Sequence, residues 1–166
     1  MNFFNETIRK YISSNLTLDS KFTFEQFKVG RSNITYKIED TKNIYVLRRP
    51  PFGEKLESAH NMQREFKILK ELYKYGIKVP KPIFLCSDRT ISDEDFYVME
   101  YIGGETISDN VIASKYSSNE KRSITTSFVK SLVELHDFDV LNSDLSDLGK
   151  HEKYVERQIQ RWSKQF

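Results

Sequence analysis

Three short stretches with the apolar pattern of strands lie close together in the first third of the chain, with no room between them for a helix. Residues 22–29 alternate around Phe22, Phe24 and Phe27. Gly30 breaks that pattern, and Ile34-Thr35-Tyr36-Lys37-Ile38 then alternates as a half-buried strand does. Asp40 to Asn43 is turn-like. Ile44-Tyr45-Val46-Leu47-Arg48-Arg49 reads as a third strand, ended by Pro50-Pro51. Parallel neighbours need a crossover of about a dozen residues or more. These links are far shorter, so the three strands form an antiparallel meander and a doubly wound parallel sheet is excluded.

The remaining pattern places further elements around that meander. Residues 6–16 predict a short helix with Ile8, Tyr11 and Ile12 on one side. Ser58 is placed to cap a longer helix in which Met62, Phe66, Leu69 and Tyr73 form one stripe, and Gly76 is placed to stop it. Val79-Pro80-Lys81-Pro82 is a stiff connector. It leads to a second strand pair, Ile83 to Cys86 and Phe96 to Ile102, with polar residues from Asp88 to Asp95 between them. Gly103-Gly104 marks a boundary, beyond which the character is helical. Ser108 to Ser114 predicts a short helix, and residues 120–138 a longer one with Ile124, Phe128, Leu132 and Leu135 aligned. A last stripe carries Val155, Ile159, Trp162 and Phe166. The expected fold class is α+β: a five-stranded antiparallel sheet with one main helix, followed by a helical part. The expected division is 1–21 as an N-terminal helical extension, 22–103 as the sheet lobe and 104–166 as the start of a helical lobe.

Composition excludes several functions. The chain has 166 residues, and its 26 basic and 24 acidic residues leave a net charge of +2. That balance, without a basic run interleaved with aromatics, predicts no nucleic-acid partner and no anionic membrane. No run of about 18 apolar residues predicts a membrane span. The residues from Met1 to Glu6 lack the basic and apolar regions of a secretion signal. Cys86 is the single cysteine, so no disulfide forms within the chain, as suits a reducing compartment. Cytoplasmic location is the expectation. His60, His136 and His151 have no metal-ligand spacing with Cys, Asp or Glu, and no Ser-His-Asp or Cys-His set stands out. No catalytic or metal-binding residue is assigned.

Four places could carry chemistry. In Val29-Gly30-Arg31-Ser32-Asn33, a glycine turn between strands lets backbone N–H groups face a phosphate, and Ser32 and Asn33 add donors. An ordinary hairpin turn is the alternative. Arg48 and Arg49 are sent to opposite faces by strand alternation, one toward a nucleotide phosphate and the other toward solvent. Two surface arginines are the alternative. Glu65 lies at the margin of the helix stripe and can orient a cation on the adjacent sheet, or it can be a solvated glutamate. At Glu100-Tyr101-Ile102, a backbone carbonyl and N–H at a strand end can pair with an adenine, or can simply end the strand.

Taken in order, Gly30-Arg31-Ser32-Asn33, Tyr45 to Pro51, Arg64-Glu65 and Tyr97 to Gly104 resemble the aminoglycoside phosphotransferase family. The likeness is to the branch found as a kinase-like domain in some acyl-CoA dehydrogenases. Leu132 to His136 and Tyr154 to Trp162 resemble that family's following helices, so the resemblance covers about residues 25–166. It implies a protein-kinase-like fold: an antiparallel five-stranded N-lobe and a truncated helical C-lobe. It implies that Gly30, Ser32 and Asn33 form the phosphate loop. Arg48 would stand where kinase-like proteins usually carry lysine, with Glu65 as its helix partner. Met99 would line the adenine pocket, and the Glu100 carbonyl and Ile102 N–H would hold the adenine edge. ATP is the implied cofactor, with magnesium in the complete enzyme, and a small-molecule hydroxyl is the implied acceptor. The family's His-Gly-Asp-type loop and metal-binding aspartate are expected after Phe166. The expected function is therefore the N-terminal part of an ATP-dependent phosphotransferase, inactive by itself. The alternative is a non-catalytic nucleotide-binding or interaction module.

Both readings leave the stripe of Val155, Ile159, Trp162 and Phe166 without cover. Exposed faces of that kind promote self-association. Sedimentation should show association that grows with concentration. A concentration-independent monomer contradicts this expectation.

Overall fold

The computed structural model describes residues 3–27, 32–53, 60–149 and 152–163. Strands β1 (Thr23–Gln26), β2 (Ile34–Glu39), β3 (Ile44–Arg49), β4 (Pro82–Cys86) and β5 (Phe96–Glu100) form one sheet in the order β1-β2-β3-β5-β4. Every neighbouring pair is antiparallel, and for β1-β2-β3 this is what the short links predict. Five helices accompany the sheet among the described residues: α1 (Glu6–Asn15), α2 (Met62–Lys74), α3 (Asn110–Ser114), α4 (Ser118–His136) and α5 (Tyr154–Ser163). The fold is α+β, as expected.

Alternation along the strands gives the sheet two working faces. Ile38, Leu47, Phe96 and Val98 share one face with Cys86, and α1 lies over them through Ile8, Ile12 and Leu16. Asn5 fixes the start of α1 by accepting from the Ile8 N–H at 2.9 Å. Aromatic rings extend this core toward the chain start, where Phe4 stacks on Phe24 and Phe3 on Tyr36. The N-terminal helix is thus part of the same core as the sheet.

Helix α2 covers the opposite face. Asn61 caps it, accepting from the Arg64 N–H at 2.8 Å; Ser58, the cap expected from sequence, lies outside the described residues. Met62, at 1% exposure, begins the buried stripe. Tyr73, expected at the end of that stripe, is exposed, and Leu72 and Glu71 are buried instead. The cause is a second neighbour. The Asp144 N–H donates to Glu71 at 3.1 Å, Lys67 pairs with Asp147 at 2.6 Å, and Leu145 is buried beside them. The last turn of α2 is therefore gripped from its other side. Gly76, at φ +77°, ends the helix as predicted. Its N–H donates to Tyr73 and that of Ile77 to Leu72, both at 3.0 Å, which satisfies the terminal carbonyls.

Several boundaries differ from the sequence pattern by a few residues, β1 and α3 among them, and two have a visible cause. Strand β5 stops at Glu100 rather than Ile102, because Glu100 already pairs with Tyr45, one residue from the start of β3. Helix α4 spans Ser118–His136 rather than 120–138. Ser117 and Glu120 close a reciprocal cap there, with the Ser117 N–H donating to Glu120 at 2.8 Å. The aligned Ile124, Phe128, Leu132 and Leu135 of α4 are exposed, as are Val155, Ile159 and Trp162 of α5; Phe166 lies outside the described residues. No helix among the described residues is long and apolar enough to cross a membrane.

Asp40 organises the β2–β3 turn. Its carboxylate accepts from the backbone N–H of Lys42 at 2.7 Å, Asn43 at 2.6 Å and Asp19 at 2.7 Å. These donors, led by Lys42, hold the Asp40 carboxyl at about 2, below the usual carboxylate range. A depressed folded pKa contributes stability that is full above the unfolded value of about 4 and is lost as pH falls toward about 2. Acid titration should therefore show an unfolding component in that window. Asp40→Ala should remove it and lower the melting temperature at neutral pH.

Candidate functional site

The site begins with the alternation of β3. Arg48 is paired across strands with Thr35 on β2 and Tyr97 on β5, so these three residues share the face that α2 covers. Val46 and Met99 are the next pair along and lie on the same face. From above, α2 presents Glu65 one turn after its start. Strand and helix meet at this carboxylate.

Three groups converge on Glu65. Arg48 Nε lies 2.9 Å from Glu65 Oε2, with both side chains about two-thirds buried. The contact is a charge pair rather than an aligned hydrogen bond, since Arg48 Nε has no acceptor in hydrogen-bonding geometry. The Tyr97 hydroxyl donates to the same oxygen at 3.1 Å. Asn33 Nδ2 donates to Glu65 Oε1 at 2.7 Å. Burial, reinforced by the charge of Glu65, raises the Tyr97 phenol far above its ordinary range. Tyr97 is therefore a donor at every working pH.

Asn33 extends the network outward. An ionised carboxylate only accepts, so the Asn33 atom facing Glu65 is the amide nitrogen. Its oxygen then faces His60 Nδ1 at 2.6 Å, which makes that ring nitrogen the protonated one. Both polar ends of the Asn33 side chain are committed. The side chain ties the entry to β2 onto α2.

The structure thus brings Asn33, Arg48, Glu65 and Met99 to one face. Ser32 is exposed beside Asn33, and Ile102 is exposed beyond the end of β5. The Glu100 N–H donates to Lys81 at 2.9 Å. Gly30 lies outside the described residues. Arg49 is a correction: expected in solvent, it is only 4% exposed, with its guanidinium 4.2 Å from the Phe3 ring and 4.0 Å from the Phe52 ring. The covered outer face of the sheet, not solvent, receives it. Sequence reasoning also missed Tyr97 and His60. Tyr97 was within reach of it, because it stands two residues before Met99 and opposite Arg48. His60 was not, since nothing in the spacing links it to Asn33. No group of three or more metal-ligating side chains occurs among the described residues.

A five-stranded antiparallel sheet whose central cation meets a helix glutamate is the arrangement of a kinase-like fold. The chain belongs to the phosphotransferase enzyme family, which matches residues 23–165. It is 33% identical over 169 residues to human acyl-CoA dehydrogenase family member 11, covering 99% of this chain and 22% of that protein. It is 36% identical over 163 residues to mouse acyl-CoA dehydrogenase family member 10, covering 97% of this chain and 15% of that protein. Among solved structures it resembles one described as "a putative aminoglycoside phosphotransferase" from Ralstonia eutropha JMP134. The TM-score is 0.76 at 28% identity, covering 99% of this chain and 47% of the other. The chain therefore spans 15–22% of these curated relatives and about half of the solved neighbour.

The convergence on Glu65 predicts energetic coupling. A double-mutant cycle of Tyr97→Phe and Glu65→Gln, read by denaturant unfolding, should give an interaction energy of about 0.5–1.5 kcal/mol. Additive effects would show that the hydroxyl does not act on this carboxylate.

Proposed function

We propose that this chain is the nucleotide-binding part of an ATP-dependent phosphotransferase acting on a hydroxyl of a small molecule. The observation that carries the reading is the Arg48–Glu65 pair, 2.9 Å apart, which joins the central strand to the main helix. A guanidinium has five N–H donors, and Glu65 meets this one at Nε. Its amino groups are then the donors that would meet the α- and β-phosphate oxygens, as a fork where lysine would give a point charge. The arrangement fits a phosphate chain: Arg48 is partly exposed, held on a rigid strand and oriented by a partner that is itself held by Tyr97 and Asn33.

The other residues take supporting roles. Ser32, with the backbone of the glycine turn at Gly30, would hold the terminal phosphates. Asn33 would fix Glu65 rather than touch phosphate. Met99 would line the adenine pocket on the face of Arg48. The Glu100 carbonyl and the Ile102 N–H would pair with the adenine edge. Magnesium would be bound with the nucleotide. Bound nucleotide supplies the transferable phosphoryl group; the residues named here bind and orient it.

A non-catalytic interaction module is the second reading. It is favoured by the exposure of Val155, Ile159 and Trp162 at 67%, 61% and 60% along one face of α5. Thermal unfolding with and without MgATP separates the two. On the first reading, saturating MgATP stabilises the chain by about 2.7 kcal/mol at one hundred times Kd. Arg48→Met should weaken binding at least about tenfold, or about 1.4 kcal/mol. No stabilisation by MgATP or MgGTP overturns the nucleotide reading and leaves the interaction module.

A further inference from the structure

Of the three groups that hold Glu65, Asn33 has the weakest anchorage of its own. Tyr97 is buried and Arg48 stands on the central strand, whereas Asn33 lies just before β2, beside the exposed Ser32. A short amide side chain at the entry to a strand turns its donor away from a carboxylate at little cost, because water offers it other acceptors. Here the other end of the amide is taken. His60 Nδ1 lies 2.6 Å from Asn33 Oδ1, and both side chains are half-buried.

Both partners of Asn33 belong to the beginning of α2. His60 precedes Asn61, whose side chain caps the helix, and Glu65 follows about one turn on. One amide therefore bridges two points of one helix, and its orientation is forced. The ionised Glu65 accepts from the amide nitrogen at 2.7 Å, so the amide oxygen takes the proton of the His60 ring. The two bonds run in the same sense, from ring to amide to carboxylate, and each polarises the next. Arg48 stands at the end of this chain. Its Nε sits 2.9 Å from Glu65 Oε2 without hydrogen-bond alignment. A charge pair of that kind fixes a distance and not a direction, so the setting of the guanidinium follows the setting of the carboxylate.

We propose that His60 is a positioning residue of the nucleotide site: its Nδ1–H locks the Asn33 amide against Glu65, and Glu65 so held aims the Arg48 guanidinium at the phosphates of a nucleoside triphosphate. This role rests on the nucleotide reading given above. His60 acts through Asn33 and Glu65 and does not itself meet the phosphates.

The test uses the full chain and three substitutions. His60→Phe removes the donor and keeps a ring, His60→Asn places an amide N–H where Nδ1 stood, and Asn33→Ala removes the bridge. MgATP binding is read by calorimetric titration, and the Arg48 Nε–H by ¹⁵N NMR without nucleotide. His60→Phe should weaken MgATP binding at least about threefold, as loss of one hydrogen bond does, and should shift the Arg48 Nε–H signal. His60→Asn should bring both back toward the unaltered chain. In the Asn33→Ala background, His60→Phe should add no further loss. The neutral His60 ring should carry its proton on Nδ1. Four results overturn the proposal: unchanged binding and an unmoved Arg48 signal in His60→Phe, no rescue by His60→Asn, a full further loss on top of Asn33→Ala, or a neutral ring protonated at Nε2. An unaltered chain that binds no MgATP defeats the nucleotide reading instead, and the Arg48 signal then decides whether His60 orients this cation. Should His60→Phe fail to fold, His60→Gln, whose amide reaches the Nε2 position rather than Nδ1, takes its place.

Discussion

A single carboxylate, that of Glu65, joins the sheet to its main helix. Helix α2 could slide or rotate on an apolar stripe alone, because dispersion contacts are not directional. A carboxylate met by a guanidinium, a phenol and an amide from three different strands or strand ends removes that freedom. The register of β3 against β5 then matters as much as the helix itself. A slip of one residue would send Arg48 to the other face and leave Glu65 partly buried without its cation.

That register also explains the contrast between two consecutive arginines. Arg48 and Arg49 have the same chemistry and adjacent backbone positions. Alternation gives one a carboxylate on the α2 face and gives the other two aromatic rings on the α1 face. The lobe is a three-layer arrangement, helix on sheet on helix, with one cation entering each interlayer space. The apolar cores of both faces are made by the same strands, through Leu47, Phe96 and Val98 on one side and Val46 and Tyr97 on the other.

Much of this was legible from residues alone. Alternation and short apolar runs located all five strands, and short links fixed the antiparallel sense of the first three. The order of Gly30, Arg48, Glu65 and the double glycine pointed to the family. What could not be read was set by tertiary partners. Tyr73 fell in line with Met62 by periodicity, but the 143–147 segment drew the last turn of α2 the other way. Asn33 has the chemistry of a phosphate donor, and nothing in the spacing shows that its amide also meets a carboxylate from α2. The fate of Arg49 depended on whether its face was covered, and one covering residue, Phe3, lies ahead of α1, far away in sequence.

The strand order has a consequence for the life of the sheet among other proteins. It leaves β1 and β4 as the rims, and rims are where a stray extended chain adds itself. Here one rim is only four residues long and carries Glu25, and the other begins at Pro82, which has no N–H to give. Between the rims, α1 and α2 occupy the two flat sides. A sheet so bordered offers an intruding strand little to pair with, and the lobe can be carried within a much larger polypeptide without stitching itself to its neighbours.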